Sequence, residues 1–103
     1  MQAEVRDQVR QLIKKLGMTP GTVAKKLAEF NCRGPKLGLR SCPLAAFLVK
    51  HDLLPPNHCV VSSGITHSEN GVIVTDVIFP QQVRDFVEEF DHGRHWELTR
   101  RHQ

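Results

Sequence analysis

Asn70-Gly71-Val72-Ile73-Val74-Thr75-Asp76-Val77-Ile78-Phe79 is the stretch that decides the fold. Six of its residues are β-branched, which favours an extended chain on a pleated surface. Asn-Gly just ahead of the run is a strong hairpin signal, because both residues tolerate positive φ. Upstream, Cys59-Val60-Val61 supplies a second β-rich run, with His67-Ser68-Glu69-Asn70-Gly71 between them as the turn. A β-hairpin is expected here. Two strands alone are marginal in water. The hairpin must therefore pack on helices, gain a short third strand, expected around residues 36–39, or pair across a dimer through its free edge.

Helical periodicity surrounds this hairpin. Val5, Val9, Leu12, Ile13 and Leu16 share one face of a helix over residues 3–16, ended by Gly17. Thr19 is a natural N-cap with Pro20 in the first turn, and Met18 and Val23 stand where a hydrophobic staple would pair them. Val23, Ala24, Leu27 and Ala28 give that second helix its buried face, closed by Phe30. Ser41 or Cys42 can cap a third helix that begins at Pro43 and buries Leu44, Phe47 and Leu48; Pro55-Pro56 prevents its continuation. Val83, Phe86, Val87 and Phe90 mark a last helix opened by Pro80 and stopped at Gly93. Trp96 and Leu98 are expected to fold back on the core. The expected architecture is a single α+β domain over residues 1–98, in the order ααα-ββ-α. Its helices pack on a two- or three-stranded antiparallel sheet, and residues 99–103 form a frayed tail.

The chain of 103 residues has room for one core. No apolar run approaches the ~20 residues needed to cross a bilayer, so no membrane span is expected. The start, Met1-Gln2-Ala3-Glu4-Val5-Arg6-Asp7, lacks the basic and apolar regions of a secretory signal, and a cytoplasmic location is expected. Three cysteines make an incomplete disulfide set and read as reduced thiols, with a Cys32–Cys42 bridge as the alternative. Charge is polarised along the chain. Residues 1–51 carry ten Lys/Arg against three acids, while residues 52–103 carry four Arg against eight acids. Such asymmetry can steer an anionic partner, provided the two halves do not interleave and cancel.

Asn31-Cys32-Arg33-Gly34-Pro35-Lys36-Leu37-Gly38-Leu39-Arg40-Ser41-Cys42-Pro43 concentrates glycines, prolines and cations with no acid, and runs into the third helix. Arg33, Lys36 and Arg40 supply charge, Gly34 and Gly38 permit close backbone approach, and Ser41 adds a hydroxyl. These six residues are the candidate anion site, at a helix start whose N–H groups favour negative charge. A surface connection, with glycine for turns and cations for solubility, is the plain alternative. Lys14, Lys15, Lys25 and Lys26 could extend the site as a basic face for phosphates. A helix-turn-helix is disfavoured because Gly34, Pro35 and Gly38 stand where a recognition helix should begin.

Cys42, at a helix start beside Arg40, is the candidate reactive thiol, against the alternative of a small capping residue. Cys32, Cys42, Cys59 and His58, with His51 or His67, contain no Cys-x-x-Cys knuckle. His58 and Cys59 also point to opposite faces of a strand, so no metal site is expected. No cofactor is expected either. Asp91, His92, His95, Trp96 and His102 read as groups near a helix C-terminus, with Glu88, Glu89 and Asp91 as a solvated acidic face.

Cys32-Arg33-Gly34, Ser41-Cys42-Pro43-Leu44-Ala45, Val83-Arg84-Asp85-Phe86-Val87 and Phe90-Asp91-His92-Gly93 together resemble small uncharacterised proteins of actinobacterial type. In these a Cys-Pro-Leu-Ala helix start follows a basic loop, and a last helix ends in Phe-Asp-x-Gly. The resemblance spans the chain from about Leu27 onward and implies the element order; it implies no activity. The lysine-rich first half departs from the arginine-rich style of such proteins. The functional expectation is a non-enzymatic binding or regulatory module for an anionic partner, either nucleic acid or an acidic protein surface. A thiol- or metal-dependent enzyme using Cys42 is the rival.

Overall fold

The computed structural model describes residues 1–35 and 37–99 and has the expected α+β architecture. Three helices, α1 (Ala3–Lys14), α2 (Pro20–Glu29) and α3 (Pro43–Lys50), precede three strands, β1 (His58–Val61), β2 (Gly64–Glu69) and β3 (Val72–Ile78). Helix α4 (Gln81–Asp91) and a 3₁₀ turn at Trp96–Leu98 complete the order. The additional strand, β2, overlaps the expected turn at residues 67–69. β2 occupies the centre of an antiparallel β1-β2-β3 sheet, and of the expected turn Asn70 and Gly71 alone lie between β2 and β3, at φ 53° and 80°. Both positive angles match the two-residue turn that suits strand twist. Around residues 36–39, where a short extra strand was expected, residues 37–39 form none, and Lys36 lies outside the described residues; Leu39 contributes one carbonyl that accepts from the Val60 N–H at 2.7 Å.

Helix caps follow the sequence closely. Thr19 caps α2 by accepting from the Thr22 N–H, and Thr22 Oγ1 returns the favour to the Thr19 N–H. Met18 is 82% exposed, so the expected staple to Val23 is not made, and the reciprocal threonine pair fixes the entry instead. Cys42 caps α3, its sulfur accepting from the Ala45 N–H at 3.4 Å.

The sheet has one covered face. Val60, Ile65 and Val77 point from it into a core with Val9, Ile13, Leu27, Phe47, Phe86 and Phe90, each almost fully buried. Burying each such side chain contributes about 1.5–3 kcal/mol. Leu98 folds back into this core as expected, but Trp96 is 64% exposed. Thr99 bonds back to the Trp96 carbonyl, and the rest of the expected tail, residues 100–103, lies outside the described residues. No helix among the described residues is long and apolar enough to cross a membrane.

Candidate functional site

The basic loop is built into the fold at nearly every candidate residue. Arg33 Nη1 donates to the Glu97 carbonyl and its Nε to Asn31 Oδ1 at 3.2 Å. Arg40 Nη1 donates to the carbonyls of Pro55 and His58, tying the loop to the start of β1. A Cβ on Gly34 would lie 1.7 Å from the Ser41 carbonyl oxygen, and one on Gly38 would lie 2.6 Å from Ser41 Oγ. Both glycines thus admit the chain's own Ser41. The Leu37 N–H, at a residue with φ 59°, donates to Asp91 Oδ1 at 2.9 Å. A carboxylate of the protein therefore already sits against this loop. Lys36, the remaining loop cation, lies outside the described residues.

Cys42 is buried, and burial pushes its thiol above the ordinary range against the pull of backbone hydrogen bonds from Ala45 and Leu44. Burial of this kind disfavours the thiolate, the nucleophilic form of a cysteine. Burial likewise raises Cys32, with Lys50 acting weakly the other way. All three cysteines are free. The acidic group on α4 is also engaged. Glu89 Oε1 accepts from His95 at 2.8 Å, Glu89 Oε2 lies 3.9 Å from Arg94, and Asp91 holds the loop. His92 Nδ1 donates to the Glu88 carbonyl at 2.7 Å.

The four helix lysines behave differently. Lys14, Lys15, Lys25 and Lys26 are exposed, and among the described residues only Lys26 of these four has a carboxylate within 4 Å, Glu29 at 3.9 Å. Lys14 and Arg10 belong to a cleft of about 540 Å³ between α1 and the corner where β3 meets α4. Ile13, Val77, Phe79 and Pro80 line it, with Gln82, and the exposed side chains of Met18 and Ile78 join them. Lys15 lines a smaller, polar recess with Gln8, Gln11 and His51.

A second constellation, on the covered face of the sheet, was not assembled from the sequence. His58 of β1 stands directly across from His67 of β2, their rings 4.8 Å apart. In β3 the pairing slips. Val77 pairs with Ile65 and Thr75 with Thr66, leaving Asp76 as the extra residue of a β-bulge. Such a bulge re-aims a side chain. The Asp76 carboxylate, 5% exposed, lies 2.6 Å from His67 Nδ1, 3.1 Å from His58 Nε2 and 3.4 Å from the Met1 amino group. Asp76's hydrogen bond raises the His67 pKa, and Glu69 at 3.4 Å from Nε2 adds to the rise. Burial alone would raise Asp76, but the His67 hydrogen bond and the Met1 charge outweigh it and hold the carboxyl below its ordinary value. With a carboxylate against each ring nitrogen, His67 has no free lone pair to activate a nucleophile. The bulge was the missing signal: without it, alternation puts Asp76 and Val74 on one face and Val77 on the other.

No protein-family model, curated protein or solved structure matches this chain.

Proposed function

We propose that the protein is a small non-enzymatic binding module whose partner is an acidic protein segment, taken into the cleft between α1 and the β3–α4 corner. The composition of that cleft carries the reading. It offers an apolar lining, two exposed apolar side chains in Met18 and Ile78, and two cations, Arg10 and Lys14, along one helix. Apolar anchors beside charged groups are the anatomy of a protein interface. The cations complement carboxylates and speed encounter, while Met18, Ile78 and the floor supply the burial. A phosphate backbone would use the charge and leave the apolar surface unmatched. Nucleic acid is therefore the alternative partner, with Lys15, Lys25 and Lys26 as its contacts.

Peptides selected from a displayed library on the purified protein test this. The expected winners are acidic with apolar anchors. They should bind saturably by fluorescence anisotropy and weaken roughly tenfold or more in Ile78→Ser and in Lys14→Glu. Labelled DNA and RNA are titrated alongside at low and near-physiological salt. Failure to select such peptides refutes the proposal. So does steeply salt-dependent nucleic-acid binding that Ile78→Ser leaves intact and Lys15→Glu/Lys25→Glu/Lys26→Glu abolishes. Light scattering on the same samples distinguishes self-association through the β3 edge from peptide capture.

A further inference from the structure

We propose that His58, His67 and Asp76 form a binding site for a divalent first-row transition-metal ion of the zinc type, with His58 Nε2, His67 Nδ1 and Asp76 Oδ2 as its ligands. The three side chains can bring one ligand atom each within 4.8 Å of one another. Metal bonds of about 2.0–2.2 Å place neighbouring ligand atoms about 3.0–3.5 Å apart in tetrahedral or octahedral geometry. The observed 3.1 Å from His58 Nε2 to Asp76 Oδ2 already fits, the 2.6 Å from His67 Nδ1 lengthens if that ring withdraws slightly, and the two ring nitrogens, within 4.8 Å of each other, close on the shared ion.

The hydrogen bonding of His58 points to a ligand more directly. Its Nδ1 lies 3.0 Å from the Pro56 carbonyl oxygen, which can only accept, so Nδ1 carries the proton. In the neutral ring the lone pair is then on Nε2. That atom is buried and makes no hydrogen bond among the described residues, although the Asp76 carboxylate is 3.1 Å away. A lone pair and a carboxylate facing each other in a buried site repel, and a cation shared between them removes the repulsion.

The outer contacts suit both imidazoles. A metal-bound histidine nearly always donates its other N–H to a carbonyl or carboxylate. Here His58 Nδ1 has the Pro56 carbonyl and His67 Nε2 has Glu69 Oε2. On coordination the Nδ1 proton of His67 is released and the metal takes its place, while the Met1 amine remains against Asp76 Oδ1. Two imidazoles and one carboxylate select borderline ions such as Zn²⁺ and Co²⁺ over Ca²⁺ or Mg²⁺. Three protein ligands leave at least one position for water or an added group.

The test titrates the full chain, free of any histidine tag, with Co²⁺ and then displaces the cobalt with Zn²⁺. One equivalent should bind and develop visible d–d absorption without the near-ultraviolet thiolate-to-cobalt band. His58→Gln and Asp76→Asn should abolish this spectrum with the far-UV circular dichroism unchanged, and Glu69→Gln should weaken binding about 10- to 100-fold. His51→Gln and His92→Gln should leave it intact. Absence of saturable one-equivalent binding, a thiolate band, or wild-type binding by His58→Gln overturns the site. Should the ligand variants unfold, histidine ¹⁵N spectra of the wild-type protein decide. Zn²⁺ must shift His58 Nε2 and His67 Nδ1, and unshifted resonances overturn the assignment.

Discussion

Gly34→Ala separates a loop shaped for a ligand from a loop shaped for its own chain. The new methyl would start 1.7 Å from the Ser41 carbonyl oxygen and 2.8 Å from its carbon, whereas real Cβ atoms essentially never come closer than 3.0 Å. Backbone must therefore move by about 1.3 Å, the difference between those two distances. Little can give way on either side. The Gly34 N–H is bonded to the Leu98 carbonyl at 2.9 Å, and Ser41 is followed by Cys42, whose N–H bonds to Gly38 at 3.0 Å and which caps α3. Overpacking of this kind costs about 1–3 kcal/mol, and losing the Leu98 hydrogen bond adds about 0.5–1.5. The expected destabilisation is about 2–4 kcal/mol, read from urea unfolding followed by circular dichroism. In a domain of this size the melting temperature should fall by roughly 10–25 °C. Gly21→Ala on the exposed side of α2, where the new Cβ meets only Thr19 Oγ1 at 3.9 Å, is the control. It should be neutral or stabilise by up to ~1 kcal/mol. A loss below about 1 kcal/mol in Gly34→Ala, with binding to an anion impaired, would show that the space serves a ligand and refute the packing argument.

Three further outcomes are expected. Because burial keeps its thiol protonated and shielded, Cys42 should resist alkylation at neutral pH until denaturant unfolds the chain; mass spectrometry that finds it modified in the native protein would contradict its role as a cap. Arg40→Met removes the guanidinium that bridges Pro55 and His58 and should cost about 1–2 kcal/mol, since hydrogen bonds from charged donors are among the stronger ones; an unchanged urea midpoint would mean the bridge contributes nothing in solution. Phe86→Ala, in a buried stack with Phe90 at 6.0 Å, should cost about 3–5 kcal/mol, and a loss near zero would place that face outside the core.

Caps, helix faces and the Asn70-Gly71 turn were legible because each depends on chemistry within a few residues: a hydroxyl at Thr19, a ring at Pro43, two residues that tolerate positive φ. β2 was hidden for the opposite reason. Its second half, His67-Ser68-Glu69, is polar and reads as part of the turn that ends at Asn70-Gly71, and Gly64–Glu69 becomes a strand because neighbours on both sides complete its hydrogen bonds. The loop's cations and glycines were conspicuous, yet composition does not say what fills the space beside a glycine or which carbonyl an arginine meets. Ser41, Glu97 and Pro55 answer those questions only once the chain is folded. The histidine–aspartate constellation depends on three strands and an irregularity in one of them, which places it beyond any local pattern.

That irregularity makes the carboxylate separable from the sheet that carries it. Excising Asp76 would bring Thr75 and Val77 into ordinary alternation opposite Thr66 and Ile65, with Thr75 still outward and Val77 still in the core. In most strands a one-residue deletion turns every later side chain to the wrong side. Here the three-nucleotide deletion of one codon would remove a chemical group and leave the hydrophobic phase intact, so this strand can gain or lose its acid without the fold being rebuilt.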